Sequence, residues 1–183
     1  NAFKARYLKK LAKDLKRYEC SVLKKADGVM TISIDDLNQF KCLDIENMIS
    51  IPMAIKAATT AHNYANNSLF HVGSMNWIPN FEAVQYIVNL MPRLRVFDPQ
   101  LQFFIAGLNS KDKFQSKAEH GIVVEGYVED LKGFIDRMGI LVTPIQSGSG
   151  VRVKILEMMT YGMPIITTSA GAEGLLDKSA VRI

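Results

Sequence analysis

Residues 140–168, "ILVTPIQSGSGVRVKILEMMTYGMPIITT", read as a strand, a glycine turn, a helix and a second strand. "ILVTPI" is a short apolar run ending at Ile145, and Gln146 to Gly150 turn the chain. The helix is expected from near Val151, with Gly162 as its left-handed cap and Pro164 as a further stop. "MPIITT" is again short and apolar. Two such strands joined through a helix make a βαβ unit, which belongs to a parallel sheet.

The same rhythm runs outward from this stretch. "LFHVGSM" is strand-like, and "NFEAVQYIVNLM" is helical, with Phe81, Val84, Ile87, Val88 and Met91 on one face. "LQFFIAG" and "GIVVEGYV" read as strands, "EDLKGFIDRM" as a helix, and the final "AVRI" as another strand. The expected fold class is therefore α/β, a Rossmann-like parallel sheet with helices on both faces. Such sheets bind ligands outside the carboxyl ends of their strands. Here those ends carry small residues: Gly73, Gly107, Gly126, Ser147 with Gly148, and Ser169 with Gly171.

The turn at 146–150 has a chemical reading of its own. The first N–H groups of the helix after it lack intrahelical partners, and the helix dipole places partial positive charge there. Glycines let a ligand approach the backbone, and phosphate suits such a site. Arg152 and Lys154 add full charges, the first able to grip two oxygens and the second acting as a point charge. Glu157, three residues after Lys154, has two readings: an ordinary salt bridge on one helix face, or an acceptor for the hydroxyls of a ribose attached to the phosphate. The turn is neither G-x-G-x-x-G nor a P-loop, which disfavours dehydrogenase and NTPase readings.

Composition sets the outer limits. The chain has 183 residues, 48% hydrophobic and 22% charged, enough for one full domain or one and part of another. No apolar run approaches the ~18 residues that span a bilayer, and no signal-peptide core is present at the N-terminus. Cys20 and Cys42 match no metal spacing, and His62, His71 and His120 form no i,i+4 pair, so no metal site is expected. A cytoplasmic setting is the simplest expectation. The net charge of +4 is localised: residues 1–25 hold nine basic side chains against Asp14 and Glu19, a net +7 that leaves the rest at −3. No nucleic-acid partner is expected from charge held on one helix. That helix repeats Phe3, Tyr7, Leu11, Leu15, Tyr18 and Val22 at steps of three or four. Two readings stand: a solvated basic face over a buried stripe, or attraction of residues 3–25 to an anionic membrane surface or lipid-linked substrate. After it, Ser33 and Asp36 have the spacing of a capping box, and "KAATTAHNYANNS" reads as a crossing between domains.

In order and spacing, "HVGSMNWIPNFEAV", "FFIAG", "GIVVEGYVEDL" and "LVTPIQSGSGVRVKILEMMTYGMPIITTSAGAEGL" resemble the C-terminal half of GT-B glycosyltransferases. The nearest likeness is to the group-1, family-four, retaining type of bacterial cell-surface polysaccharide pathways. The resemblance implies that residues 1–56 are the tail of an N-terminal acceptor domain, 57–68 an inter-domain linker, and 69–183 a nucleotide-sugar donor domain truncated at its C-terminus. It implies a fragment of a metal-independent hexosyltransferase, cytoplasmic or peripheral at the inner face of the membrane. The fragment alone is expected to be inactive and to need no cofactor, its donor being UDP- or GDP-linked and the acceptor a glycan or lipid-linked hydroxyl.

By the same resemblance, Glu157 is the second glutamate of the family's E-x(7)-E motif and holds the nucleotide ribose. The turn of Gly148, Ser149, Gly150 and Val151, with Arg152, contacts the diphosphate; Gly126, Tyr127 and Val128 meet the nucleobase; Gly73 and Ser74 face the donor across the cleft. Arg152 and Lys154 would stabilise the leaving diphosphate, as preorganised charges do for a developing anion. Two departures stand out. The first glutamate of the motif falls on Ser149, and the basic pair that many relatives carry after the first strand is replaced by Asn76 and Asn80, so Arg152 and Lys154 are expected to supply that charge. Two other readings remain: a nucleotide-sugar epimerase on the same scaffold, against which Ser149 argues, and a non-enzymatic module whose basic helix docks on a membrane or partner.

Overall fold

The computed structural model describes residues 2–41, 45, 47–56, 67–148, 150–175 and 181–182, and the chain divides into two units, Asn1–Met53 and Ala54–Ile183. In the first unit, the amphipathic repeat forms helix α1 (Ala2–Leu23), followed by strand β1 (Val29–Thr31), helix α2 (Ile34–Phe40) and strand β2 (Met48–Ser50). β1 and β2 pair in parallel, with Val29 opposite Met48. The expected cap of α2 is formed: Ser33 Oγ accepts from the Asp36 N–H at 3.0 Å. The Asp36 carboxylate then accepts from the Ser33 hydroxyl at 2.7 Å instead of reaching back to the Ser33 backbone. None of the residues of α1 is buried, so the apolar stripe of Phe3, Tyr7, Leu11, Leu15, Tyr18 and Val22 is exposed.

The second unit is a six-stranded parallel sheet of order β5-β4-β3-β6-β7-β8. Its strands are β3 (Ser68–Val72), β4 (Gln102–Ala106), β5 (Ile122–Gly126), β6 (Ile140–Thr143), β7 (Ile165–Thr167) and β8 (Val181–Arg182). The chain starts in the middle at β3, builds outward through β4 to β5, then returns to the other side of β3 with β6. The order therefore reverses between β3 and β6, and the crevice at their carboxyl ends is the place where open α/β sheets take ligands.

The strands are apolar on both sides because helices cover both faces. Helix α3 (Ile78–Phe97) packs Val84, Ile87 and Met91 against Phe103, Ile105 and Val142. On the other face, α5 (Leu131–Ile135) and α6 (Val153–Thr160) bring Phe134, Ile155 and Met158 against Phe70, Leu141 and Ile165. A short helix, α4 (Ser110–Lys113), and a 3-10 turn (Ala118–His120) lie between β4 and β5 and are too short to show periodicity in the sequence. α3 extends beyond the expected 80–91, with Pro92 inside it on the exposed side, where water can satisfy the carbonyl that a proline frees.

α6 starts two residues later than the expected Val151. Gly148 (φ 98°) and Gly150 (φ 86°) hold left-handed backbone, and Arg152 at φ −87°, ψ 90° is still extended, so helical geometry begins at Val153. The left-handed Gly162 (φ 67°) follows the helix, as its stop signals imply.

Candidate functional site

The site is built where β3 and β6 part. Their ladder holds only two residue pairs, Leu69 with Ile140 and Phe70 with Leu141. One residue further on, a side chain takes over from the backbone: His71 Nδ1 lies 3.0 Å from the Val142 carbonyl oxygen. A carbonyl only accepts, so Nδ1 carries the hydrogen and Nε2 is left as an acceptor. That acceptor faces the Lys154 ammonium at 3.1 Å.

Lys154 rises from the first turn of α6 and donates also to Asn80 Oδ1 at 2.5 Å. Asn80 sits in the first turn of α3, where its Nδ2 donates to the Ser74 carbonyl at 3.0 Å. The amide is thereby oriented with its oxygen toward the lysine. His71 Nε2 and Asn80 Oδ1, 3.3 Å apart, are two acceptors sharing one ammonium. Sequence reasoning placed Lys154 and Glu157 on one helix face. In the structure no carboxylate pairs with Lys154 among the described residues, and its nitrogen points to His71 and Asn80 instead.

Enclosure sets the charges here. Burial, with the Arg152 charge adding to it, lowers the Lys154 pKa to about 7. Burial and then the Lys154 charge lower that of His71 to about 3, so the imidazole is neutral near pH 7. Neutral imidazole is the form that accepts from an ammonium.

Two glycines make room for this cluster. A Cβ on Gly73 (φ 156°) would lie 2.5 Å from Asn80 Nδ2 and 2.9 Å from Lys154 Nζ. A Cβ on Gly107 (φ 124°) would lie 2.0 Å from the Gly73 carbonyl oxygen. Glycine at both positions lets the ends of β3 and β4 close beside the lysine, with Gly73 N–H donating to Ala106 O at 3.0 Å, and Gly107 N–H donating to Gly126 O of β5 at 2.7 Å.

The glycine turn after β6 is held by Arg152. Its Nη2 donates to the Gly148 carbonyl at 2.8 Å and its Nη1 to that of Gly150 at 3.1 Å. The guanidinium lies 5.4 Å from the centre of the Trp77 ring, within cation–π range. Arg152 does grip two oxygens, as its fork allows, but they belong to its own loop. It is buried, and its charge remains at the start of α6 beside Lys154. Val151 and Glu157 are half-buried, and the Glu157 carboxylate makes no ion pair among the described residues. Ser149 lies outside the described residues.

Gly126 ends β5 with φ 90°, and the Lys111 side chain crosses it, its Cε 2.8 Å from where a Cβ would stand. Tyr127 is exposed and Val128 packs against the core. Gly126, Tyr127 and Val128 thus sit two strands from β3, roughly 10 Å along the sheet at the usual spacing between strands. The structure brings Gly73, Ser74, Gly148, Gly150, Arg152 and Lys154 around the switch point, with Glu157 one turn along α6. It adds three residues that the sequence reading did not assign: His71, Asn80 as the lysine's acceptor, and Trp77 under Arg152. The available signal for His71 was one titratable residue between the apolar Phe70 and Val72 of a buried strand.

Residues 66–181 match the family model of glycosyl transferases group 1. No curated protein matches the chain. Among solved structures, the GtfA/B complex superposes with a TM-score of 0.70 at 15% identity, covering 91% of this chain and 35% of that one. A variant of S. aureus TarM in complex with fondaparinux, alpha-GlcNAc-glycerol and UDP gives 0.66 at 20% identity, covering 86% and 33%. Anabaena HepE in complex with UDP and glucose gives 0.62 at 13% identity, covering 85% and 48%. At these identities the likeness is one of fold, and the chain spans about a third to a half of the length of these structures. With the family model covering well over half of the sequence, the chain belongs to the group 1 glycosyl transferases.

Proposed function

We propose that the unit Ala54–Ile183 binds the nucleoside-diphosphate part of a nucleotide-sugar donor, and that the protein transfers the sugar to an acceptor hydroxyl. One observation carries this reading: a lysine ammonium at the switch point with neutral acceptors and no carboxylate partner among the described residues, next to a glycine turn at a helix start. Such a charge is left for an anion to complete. UDP bound to structures of the same fold supports a diphosphate as that anion.

In the reaction, the bond from the anomeric carbon to the diphosphate oxygen breaks and its electron pair leaves with the diphosphate. The acceptor oxygen bonds to the same carbon, and its proton passes to the departing phosphate oxygen. On this reading, which retains configuration and uses no metal, Lys154 meets the charge that grows on the leaving group. The helix start and the Arg152 charge support it, and Gly148 and Gly150, tethered by Arg152, lie with Val151 against the diphosphate. Gly73 and Ser74 stand on the donor's other side, Gly126 to Val128 at the base, and Glu157 at the ribose.

Titration of the chain with UDP, GDP and ADP tests the reading, with binding of one of them expected. Glu157→Gln keeps the shape but loses the charge that grips the ribose hydroxyls, and is expected to weaken that nucleotide about 10-fold. Equal binding by the variant would remove Glu157 from the site.

The exposed apolar stripe and basic flanks of α1 favour an acceptor presented at an anionic lipid surface. Co-sedimentation with anionic vesicles, lost on replacing Lys9, Lys10, Lys13 and Lys16 by Gln, is the expected result. Sedimentation unchanged by those substitutions would contradict it.

A further inference from the structure

The assignment of Lys154 to a diphosphate leaves open what keeps an enclosed ammonium charged and aimed when no carboxylate neutralises it among the described residues. Asn80 supplies one acceptor, at 2.5 Å. The second is the imidazole of His71, a fully buried side chain on the central strand. Its Nδ1–H is committed to Val142 O, which fixes both the ring orientation and the tautomer. The other tautomer, with hydrogen on Nε2, would present a donor to the ammonium and repel it.

We propose that His71 is a positioning residue: the Val142 carbonyl locks it as the Nδ1–H tautomer, so that its Nε2 lone pair holds the Lys154 ammonium charged at the head of β3 for the incoming anion. The proposal rests on the diphosphate reading of that site only for the identity of the anion. Among the described residues, the charged and titratable groups bearing on the imidazole and the ammonium are one another and Arg152; α3 presents the neutral Asn80 amide and β6 the Val142 carbonyl. Burial and the neighbouring cation hold His71 neutral, which is the state the arrangement needs. The remaining direct partner of the lysine, Asn80, is itself oriented by Ser74, so each acceptor has its own backbone anchor.

Two substitutions separate holding the lysine from merely stapling β3 to β6. A glutamine amide reaches about as far as Nε2, so His71→Gln keeps an acceptor for Lys154 and gives up the bond to Val142. An asparagine amide reaches only about as far as Nδ1, so His71→Asn keeps the donor to Val142 and leaves the lysine one acceptor short. The first readout needs no nucleotide: the protonation of Lys154, followed by NMR of labelled lysine across pH in the ligand-free chain. Lys154 is expected to lose its proton near 7 in the wild type and in His71→Gln. In His71→Asn it is expected to do so at a pH roughly one lower, the loss of one hydrogen bond to a charged group. The second readout is UDP affinity at pH 7, expected to fall about 10-fold in His71→Asn and to be mostly restored in His71→Gln.

The opposite order, with His71→Asn like the wild type and His71→Gln impaired, would overturn the proposal in favour of a structural staple. If either variant fails to fold, the ring of the wild type decides: nitrogen spectra at pH 6 are expected to show a neutral Nδ1–H imidazole, and an Nε2–H or doubly protonated ring would overturn it. A wild type that binds no nucleotide while Lys154 titrates as described would refute the diphosphate reading and leave the role of His71 supported.

Discussion

Lys154→Met is expected to make the protein more stable and unable to bind its nucleotide. In the wild type, the ammonium is enclosed with neutral acceptors and beside the Arg152 charge, which is why its pKa falls to about 7 from the ordinary 10.5. Between those two values the unfolded chain holds more protons than the folded one, so wild-type stability rises with pH across that window. Below pH 7 the native state bears the full penalty of the enclosed charge. Methionine has similar length, no charge and no need of a partner, though it leaves the His71 Nε2 and Asn80 Oδ1 acceptors without a donor. The variant is therefore expected to gain about 2 kcal/mol at pH 6, less than the full shift because the two acceptors lose their donor, with the gain shrinking as pH approaches 10. Thermal unfolding against pH checks it. Nucleotide affinity is expected to fall about 100-fold, as when a charged hydrogen-bond donor to a phosphate is removed. Stability that rises while binding disappears marks a residue kept for function. A variant less stable than the wild type at pH 6 would mean that the lysine serves the fold.

Gly107→Ala is expected to damage fold and site together. The residue holds φ 124°, a conformation that costs an alanine about 1–2 kcal/mol. The new methyl would also stand 2.0 Å from the Gly73 carbonyl oxygen, which is backbone and cannot swing aside. Relief requires the ends of β3 and β4 to separate, which stretches the hydrogen bond from Gly73 N–H to Ala106 O, while Gly107 N–H to Gly126 O ties the end of β4 to β5. A loss of about 3–4 kcal/mol follows, roughly 10–15 °C in melting temperature for a unit of this size. Because Gly73 borders Lys154, nucleotide binding is expected to weaken as well. A melting temperature within about 2 °C of the wild type would show that the strand ends are not packed as described.

The sheet was legible in the sequence because each buried strand is a short, mostly apolar run and the longer helices have their own stripes, so local pattern and global fold agree. Helix ends were less so. Arg152 looks like a first-turn residue, yet two left-handed glycines keep the chain extended until Val153. The glycine turn and its two cations were visible; their partners were not. Periodicity assigns Lys154 and Glu157 to a common face, whereas the lysine is drawn away by His71 and Asn80, which lie 83 and 74 residues from it along the chain. A cluster made by the reversal of strand order has no local signature, and His71 in isolation is a lone histidine in a strand. The bulge in β5, where Ile105 pairs Val124 but Ala106 pairs Gly126, is likewise set by the neighbouring strand and not by the local sequence.

The central claim is that an anion of the nucleoside-diphosphate class completes the Lys154 cluster at the head of β3. Isothermal titration of UDP, GDP and ADP into the wild type and Lys154→Met, side by side at pH 7, tests it most directly. One nucleotide binding the wild type and losing about 100-fold in the variant is the predicted result. No binding of any of the three by the wild type, or equal binding by both proteins, would contradict it.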